Sequence, residues 1–141
     1  MLAVPLVAGL TVLGACTDVG DGGPTTPGSS APAPALNLGL DEALARELLL
    51  LDDAQLLRLR VATAALTAHV DALRKAGAVG ELDPVPRPAP TRAGFVNALD
   101  RTADKTQRAV PGAQSGSDAA LLASVAASDA ALAASLRGSR G

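Results

Sequence analysis

The chain has 141 residues, a formal net charge of −2, no Trp or Tyr, and a single Phe, Cys and His. Near-balanced charge argues against a nucleic-acid surface, which normally needs a clustered basic face. Missing aromatics exclude stacking platforms for bases or sugars, and one Cys excludes an internal disulfide. Apolar residues make up 48% of the sequence, but many are Ala, which bury less area than an aromatic core and predict modest stability.

In chain order, Met1–Val12 reads MLAVPLVAGLTV, an uncharged apolar run. It is shorter than the roughly 20 residues a spanning helix needs and matches the apolar segment of a signal peptide. Leu13-Gly14-Ala15-Cys16 follows and resembles the lipobox of bacterial lipoproteins. The resemblance implies that residues 1–15 are a signal peptide, that Cys16 takes a diacylglyceryl group, and that the protein is anchored to the cell membrane on its extracytoplasmic face. Only Met1 precedes the apolar run, so the basic start of such a peptide is expected upstream. Thr17–Ala35 (TDVGDGGPTTPGSSAPAPA) has no apolar period. It cannot bury enough surface to offset its ordering entropy, so residues 16–39 are expected to form the lipidated Cys and a disordered, flexible tether.

Residues 40–137 read as an all-α antiparallel bundle of three or four helices, with 138–141 as a frayed tail. The first helical stretch covers Asp41–Ala76, with Leu44, Leu48, Leu51, Gln55, Leu59, Ala62, Leu66, His69 and Leu73 on one stripe. Asp52-Asp53 beside Gln55 marks a candidate bend or break; one bent helix is preferred over a helix pair. Four alternating prolines, Pro84, Pro86, Pro88 and Pro90, exclude helix and favour an extended connection. A second helix spans Arg92–Val110, capped by Thr91, with Phe95, Leu99, Ala103, Thr106 and Val110 inward. Its other face carries Asn97, Arg101, Asp104, Lys105 and Arg108, read as solvated. Pro111-Gly112 stops it. Ser117 then caps a third helix to Arg137, with Leu122, Val125, Asp129, Leu132 and Leu136 on one face.

Two polar side chains, His69 and Asp129, fall on apolar stripes, where an unpaired polar group is costly. Di-metal four-helix bundles place Glu-x-x-His pairs in such interiors. Here the matching positions read Leu66-x-x-His69 and Asp129-x-x-Leu132, so each pair lacks one ligand. Fewer than three ligands make a poor metal site, and His69 and Asp129 are only weak metal candidates. The expectation is no metal and no cofactor, with His69 at a partly wet bundle edge and Asp129, or Ser128 in its place, just off the stripe.

Leu121–Ala131 (LLASVAASDAA) resembles the last helix of small actinobacterial lipoproteins with a ferritin-like helical domain, in which an LLASIAASEAAH-like run is typical. Leu66–Leu73, with His69 before Ala72-Leu73, resembles an earlier helix of that family. The resemblance implies a ferritin-like bundle. Leu132 stands in place of that run's His and Asp129 in place of its Glu.

No Gly-rich phosphate loop after a strand, no Ser-His-acid arrangement and no two-lobed ligand cleft is legible. The expected function is therefore a non-catalytic, membrane-anchored envelope module acting structurally, through a protein partner or by self-association. The alternative is a ferritin-like metal-binding protein or oxidase.

Overall fold

A computed structural model describes residues 37–81 and 86–139. The signal segment, Cys16 and the tether to Ala35 lie outside the described residues, as do Pro84, Arg140 and Gly141. Four helices make up the domain: α1 (Leu38–Leu56), α2 (Arg60–Lys75), α3 (Arg92–Ala109) and α4 (Gly116–Gly138), with a 3-10 turn at Val110–Gly112. The fold is all-α and its neighbouring helices pack antiparallel.

The Asp41–Ala76 stretch is two helices rather than one bent helix, and the break falls at Leu57–Leu59, not at Asp52. Leu59 N–H donates to the Ala54 carbonyl and Arg58 N–H to that of Gln55. This is a Schellman stop, with Arg58 at φ 56° in the left-handed position usually held by Gly. The same motif ends α2, where Ala78 N–H reaches Leu73 and Gly77 sits at φ 95°. A glycine at 58 would have made the break visible in the sequence. Arg58→Gly should relieve roughly 1–2 kcal/mol of backbone strain against about 0.4–1 kcal/mol of added unfolded-state freedom. The expected result is a melting temperature a few degrees higher; a lower one would mean that the Arg58 side chain stabilises the turn.

Thr91 caps α3 as expected, accepting from Gly94 N–H. The cap of α4 is Ser115 rather than Ser117: its hydroxyl accepts from Asp118 N–H, while Ser117 meets Ser115 side chain to side chain. Helix α1 starts at Leu38, ahead of Asp41, and Asn37 just before it donates to Asp118 at the start of α4 (3.0 Å). The beginnings of α1 and α4 therefore share one end of the bundle. At the other end, Arg92 at the start of α3 bonds to the Leu136 carbonyl and the Ser139 hydroxyl at the end of α4.

Described residues on either side of 82–85 in the α2–α3 connection contact α1 near its two ends. Val79 N–H donates to Asp41 at the start of α1 (2.7 Å), and Arg87 pairs with Asp52 and Asp53 near its end (2.6 and 3.2 Å). Helices α1 and α4 consequently run one way and α2 and α3 the other. Each helix has two antiparallel neighbours: α1 packs on α2 and α3, and α4 on α3 and α2. Helix α4 is long and apolar enough to cross a membrane by length and composition, but it is a bundle helix here, with Leu122, Val125, Ala126, Leu132 and Ala133 buried against its neighbours.

The apolar core is divided. One cluster joins Leu40, Ala43, Leu44, Leu48, Val70, Leu73, Ala78 and Leu122 at the end where α1 and α4 begin. The other joins Leu50, Ala54, Ala62, Leu66, Phe95, Val96, Leu99, Leu132 and Ala133 at the opposite end.

Candidate metal centre

Between the two apolar clusters lies a polar layer. His69 lies between Leu66 and Val70 on α2 and Asp129 between Leu122 and Leu132 on α4, so these two helices cross the layer between their contributions to the two clusters; Glu47 enters it from α1 beside Leu48, the last residue α1 gives to the first cluster. Helix α3 crosses the same level with Thr102, Ala103 and Thr106, all buried.

His69 Nδ1 is 3.0 Å from Glu47 Oε2 and 3.5 Å from Asp129 Oδ1, an ionic contact rather than a hydrogen bond for the latter. On the other side of the ring, Nε2 is 2.9 Å from Ser128 Oγ. Both carboxylates are fully buried, whereas the imidazole keeps 12% of its side-chain surface exposed. The ring is thus the wet edge of an otherwise sealed site.

Sequence periodicity singled out His69 and Asp129, and the structure brings them together. Asp129 is not off its stripe but wholly buried, and the neighbouring Ser128 also reaches the ring. Glu47 was missed. A stripe through Leu44, Leu48 and Leu51 leaves it on the flank, whereas the buried face of α1 runs through Ala43, Leu44, Glu47, Leu48, Leu50 and Ala54. The available signal was a lone acid within a leucine-rich amphipathic run.

The layer holds more acceptors than donors. Two carboxylates offer four oxygens, and only one imidazole nitrogen faces them. Glu47 Oε1 and both Asp129 oxygens are buried with no hydrogen-bond partner among the described residues. Such orphaned oxygens are costly unless a cation or proton satisfies them. Burial drives the Glu47 carboxyl up to about 7; His69 opposes the shift by hydrogen bonding and Asp129 adds to it. Burial by itself would lower the His69 pKa, but Asp129 and Glu47 together outweigh it and push the imidazole up to about 9. At neutral pH the ring is a cation held between acids.

Ser128, His69 and an acid are also the residue types of a nucleophilic triad, with Nε2 on the serine and Nδ1 on the carboxylate. Two features argue against that chemistry. A ring protonated up to about pH 9 is not free to take the serine proton at neutral pH. Ser128 also sits inside α4, where backbone N–H groups are engaged in the helix and none is left for an oxyanion.

The arrangement suits a cation better. One donor atom each from Glu47, His69 and Asp129 lie within 4.8 Å of one another. Ligands around one first-row ion sit up to about 4.4 Å apart, given bond lengths of roughly 2.0–2.2 Å, so small side-chain rotations would bring all three to one ion. Ser128 Oγ would accept from Nε2–H, fixing the tautomer that turns the Nδ1 lone pair inward. The chain matches no family model, no curated protein and no solved structure.

Proposed function

We propose that this protein is a helical-bundle metal-binding module that holds one divalent first-row ion through Glu47, His69 and Asp129. The observation carrying the reading is that three different helices deliver three ligand atoms within 4.8 Å, and that three carboxylate oxygens there have no hydrogen-bond partner among the described residues. Imidazole with two carboxylates suits zinc, manganese or iron(II). Charge selects a divalent ion: two carboxylates and a neutral imidazole around it leave the buried layer uncharged. Three protein ligands leave coordination positions to water or a small ligand.

The topology supports the same reading. One long connection joins the second and third helices, as in ferritin-like bundles, whose di-metal sites take a Glu from two helices and a Glu-x-x-His pair from the other two. This chain keeps the acid of α1 (Glu47), the His of α2 and an acid on α4. Leu66 and Leu132 occupy the remaining positions of the two pairs and are buried. Half a ligand set serves one ion rather than two. Cys16, through its lipobox resemblance, would anchor the module to the outer face of the cell membrane, and a lipid-modified mature N-terminus by mass spectrometry tests that part separately.

A second reading, the non-catalytic structural or interaction module, is favoured by one observation: His69 already contacts both carboxylates, so a protonated ring balances much of their charge without an ion. Metal analysis separates the two. Protein purified without chelator, or titrated with zinc and manganese, should bind one ion per chain, and Glu47→Gln and Asp129→Asn should each weaken binding at least tenfold. No stoichiometric binding, or binding indifferent to both substitutions, leaves the structural reading.

A further inference from the structure

We propose that a second site, on the α1/α3 face of the bundle, binds a small phosphate-bearing anion. A cleft of about 190 Å³ opens between α1 and α3, with Arg87 of the α2–α3 connection on one side. Arg46, Arg87, Arg101 and Lys105 line it against a single acid, Asp53, in a chain whose net charge is −2. Its apolar wall is formed by Leu49, Leu50 and Ala98, and Thr102 adds a hydroxyl.

Two independent features show a buried donor and positive charge that the protein itself leaves unanswered. Arg46 gives Nη2 to Glu42 (2.6 Å), while its Nη1 is buried without a hydrogen-bond partner. A guanidinium nitrogen out of water with no acceptor is costly, and an anion oxygen would satisfy it. On α3, Arg101 and Lys105 are four residues apart on one face, a like-charge spacing that weakens a helix. Neither has an acidic partner among the described residues, and the nearby Asp104 pairs with Arg108 instead. The solvated-face reading of these positions leaves their repulsion without compensation.

Arg87 spends its charge on Asp52 and Asp53 and so is held against α1 at one side of the cleft. Burial raises the Asp53 pKa, Arg87 opposing and Asp52 adding to the shift. The unpaired ligand-facing charge therefore comes from Arg101 and Lys105, with Arg46 Nη1 as a further unused donor. Their donors on two helices suit a tetrahedral oxyanion, which accepts hydrogen bonds in several directions, better than a planar acid reached from one side. The volume accommodates a phosphate and a short apolar substituent. A free phosphomonoester and an exposed phospholipid headgroup present the same group.

The test uses chelated protein, so that the Glu47–His69–Asp129 layer plays no part. Isothermal titration with inorganic phosphate, with chloride as the ionic-strength control, should give saturable one-to-one binding. The double variant Arg101→Gln/Lys105→Gln, whose side chains are exposed and whose removal relieves a repulsion, should fold normally and lose at least tenfold in affinity. Arg58→Gln, in the α1–α2 turn and outside the cleft lining, should not change it. A parallel arm measures co-sedimentation with phosphatidylcholine vesicles containing or lacking phosphatidic acid. Retention only on phosphatidic acid, lost in the double variant, assigns the headgroup as the source; phosphate binding without vesicle retention assigns a free phosphomonoester. No saturable binding in either arm, or equal binding by the double variant, overturns the proposal.

Discussion

His69→Ala should cost the fold more than any other single substitution in the polar layer, about 3–5 kcal/mol at neutral pH, because it strips the cation from two buried carboxylates. A small domain has only on the order of 5–15 kcal/mol in total, so the variant should unfold at much lower urea or fail to fold. Replacing the whole layer with apolar side chains of similar size, as in Glu47→Leu/His69→Leu/Asp129→Val, should do the opposite. It removes three desolvated ionisable groups and their orphaned oxygens together and joins the two apolar clusters. Such replacements are typically neutral or stabilising by roughly 1–4 kcal/mol. Urea denaturation of both variants checks the pair. A His69→Ala protein within about 1 kcal/mol of the parent would show that the layer is not electrostatically coupled. A folded, stable triple variant that no longer binds metal would show that the polar residues are kept for something other than stability.

The metal-free bundle should lose stability from about pH 5 to about pH 9, by roughly 3 kcal/mol for each of two groups, less whatever the two share through their mutual contact. Glu47 is raised from its ordinary 4.5 to about 7, so the folded state favours its protonated form. That contribution is complete below pH 4.5 and is lost as pH rises through 7. His69 is raised from 6.5 to about 9, so the contribution of its imidazolium is complete below pH 6.5 and is lost as pH rises through 9. Both shifts have the same sign. Urea midpoints of chelated protein at pH 5, 7 and 9 should fall in that order, and Glu47→Gln should flatten the acid half of the decline. Saturating zinc or manganese should oppose the trend, because an ion must displace the protons that Glu47 and His69 hold and therefore binds more tightly as pH rises. A profile rising with pH in the absence of metal would mean that Glu47 and His69 do not share a buried layer.

Local patterning carried much of the architecture. The 3.6-residue repeats placed all the helical segments, Thr91 announced the start of α3, and alternating prolines marked the long connection. Two boundaries escaped because they depend on backbone choices with no residue signature. Arg58 takes a left-handed conformation that Gly usually signals. Ser115 and Ser117 are equally good caps by composition, and the actual path of the turn selects Ser115. The connection meets α1 through contacts of Val79 and Arg87 with residues 38 and 35 positions away, respectively, which no window of local sequence reports.

His69 and Asp129 stood out because a polar residue on an apolar stripe breaks a period that the sequence states openly. Glu47 did not, since the leucine-rich face of α1 is wide enough to be centred on either Leu51 or Glu47; only packing against α2 and α4 set the rotation that buries the acid. The sequence by itself determined that the chain folds as amphipathic helices with two misplaced polar groups, because periodicity is a property of neighbours along one helix. Only the tertiary structure decided that three ionisable groups and Ser128 meet on one imidazole, because residues 22, 59 and 60 positions from His69 become neighbours only when the helices pack.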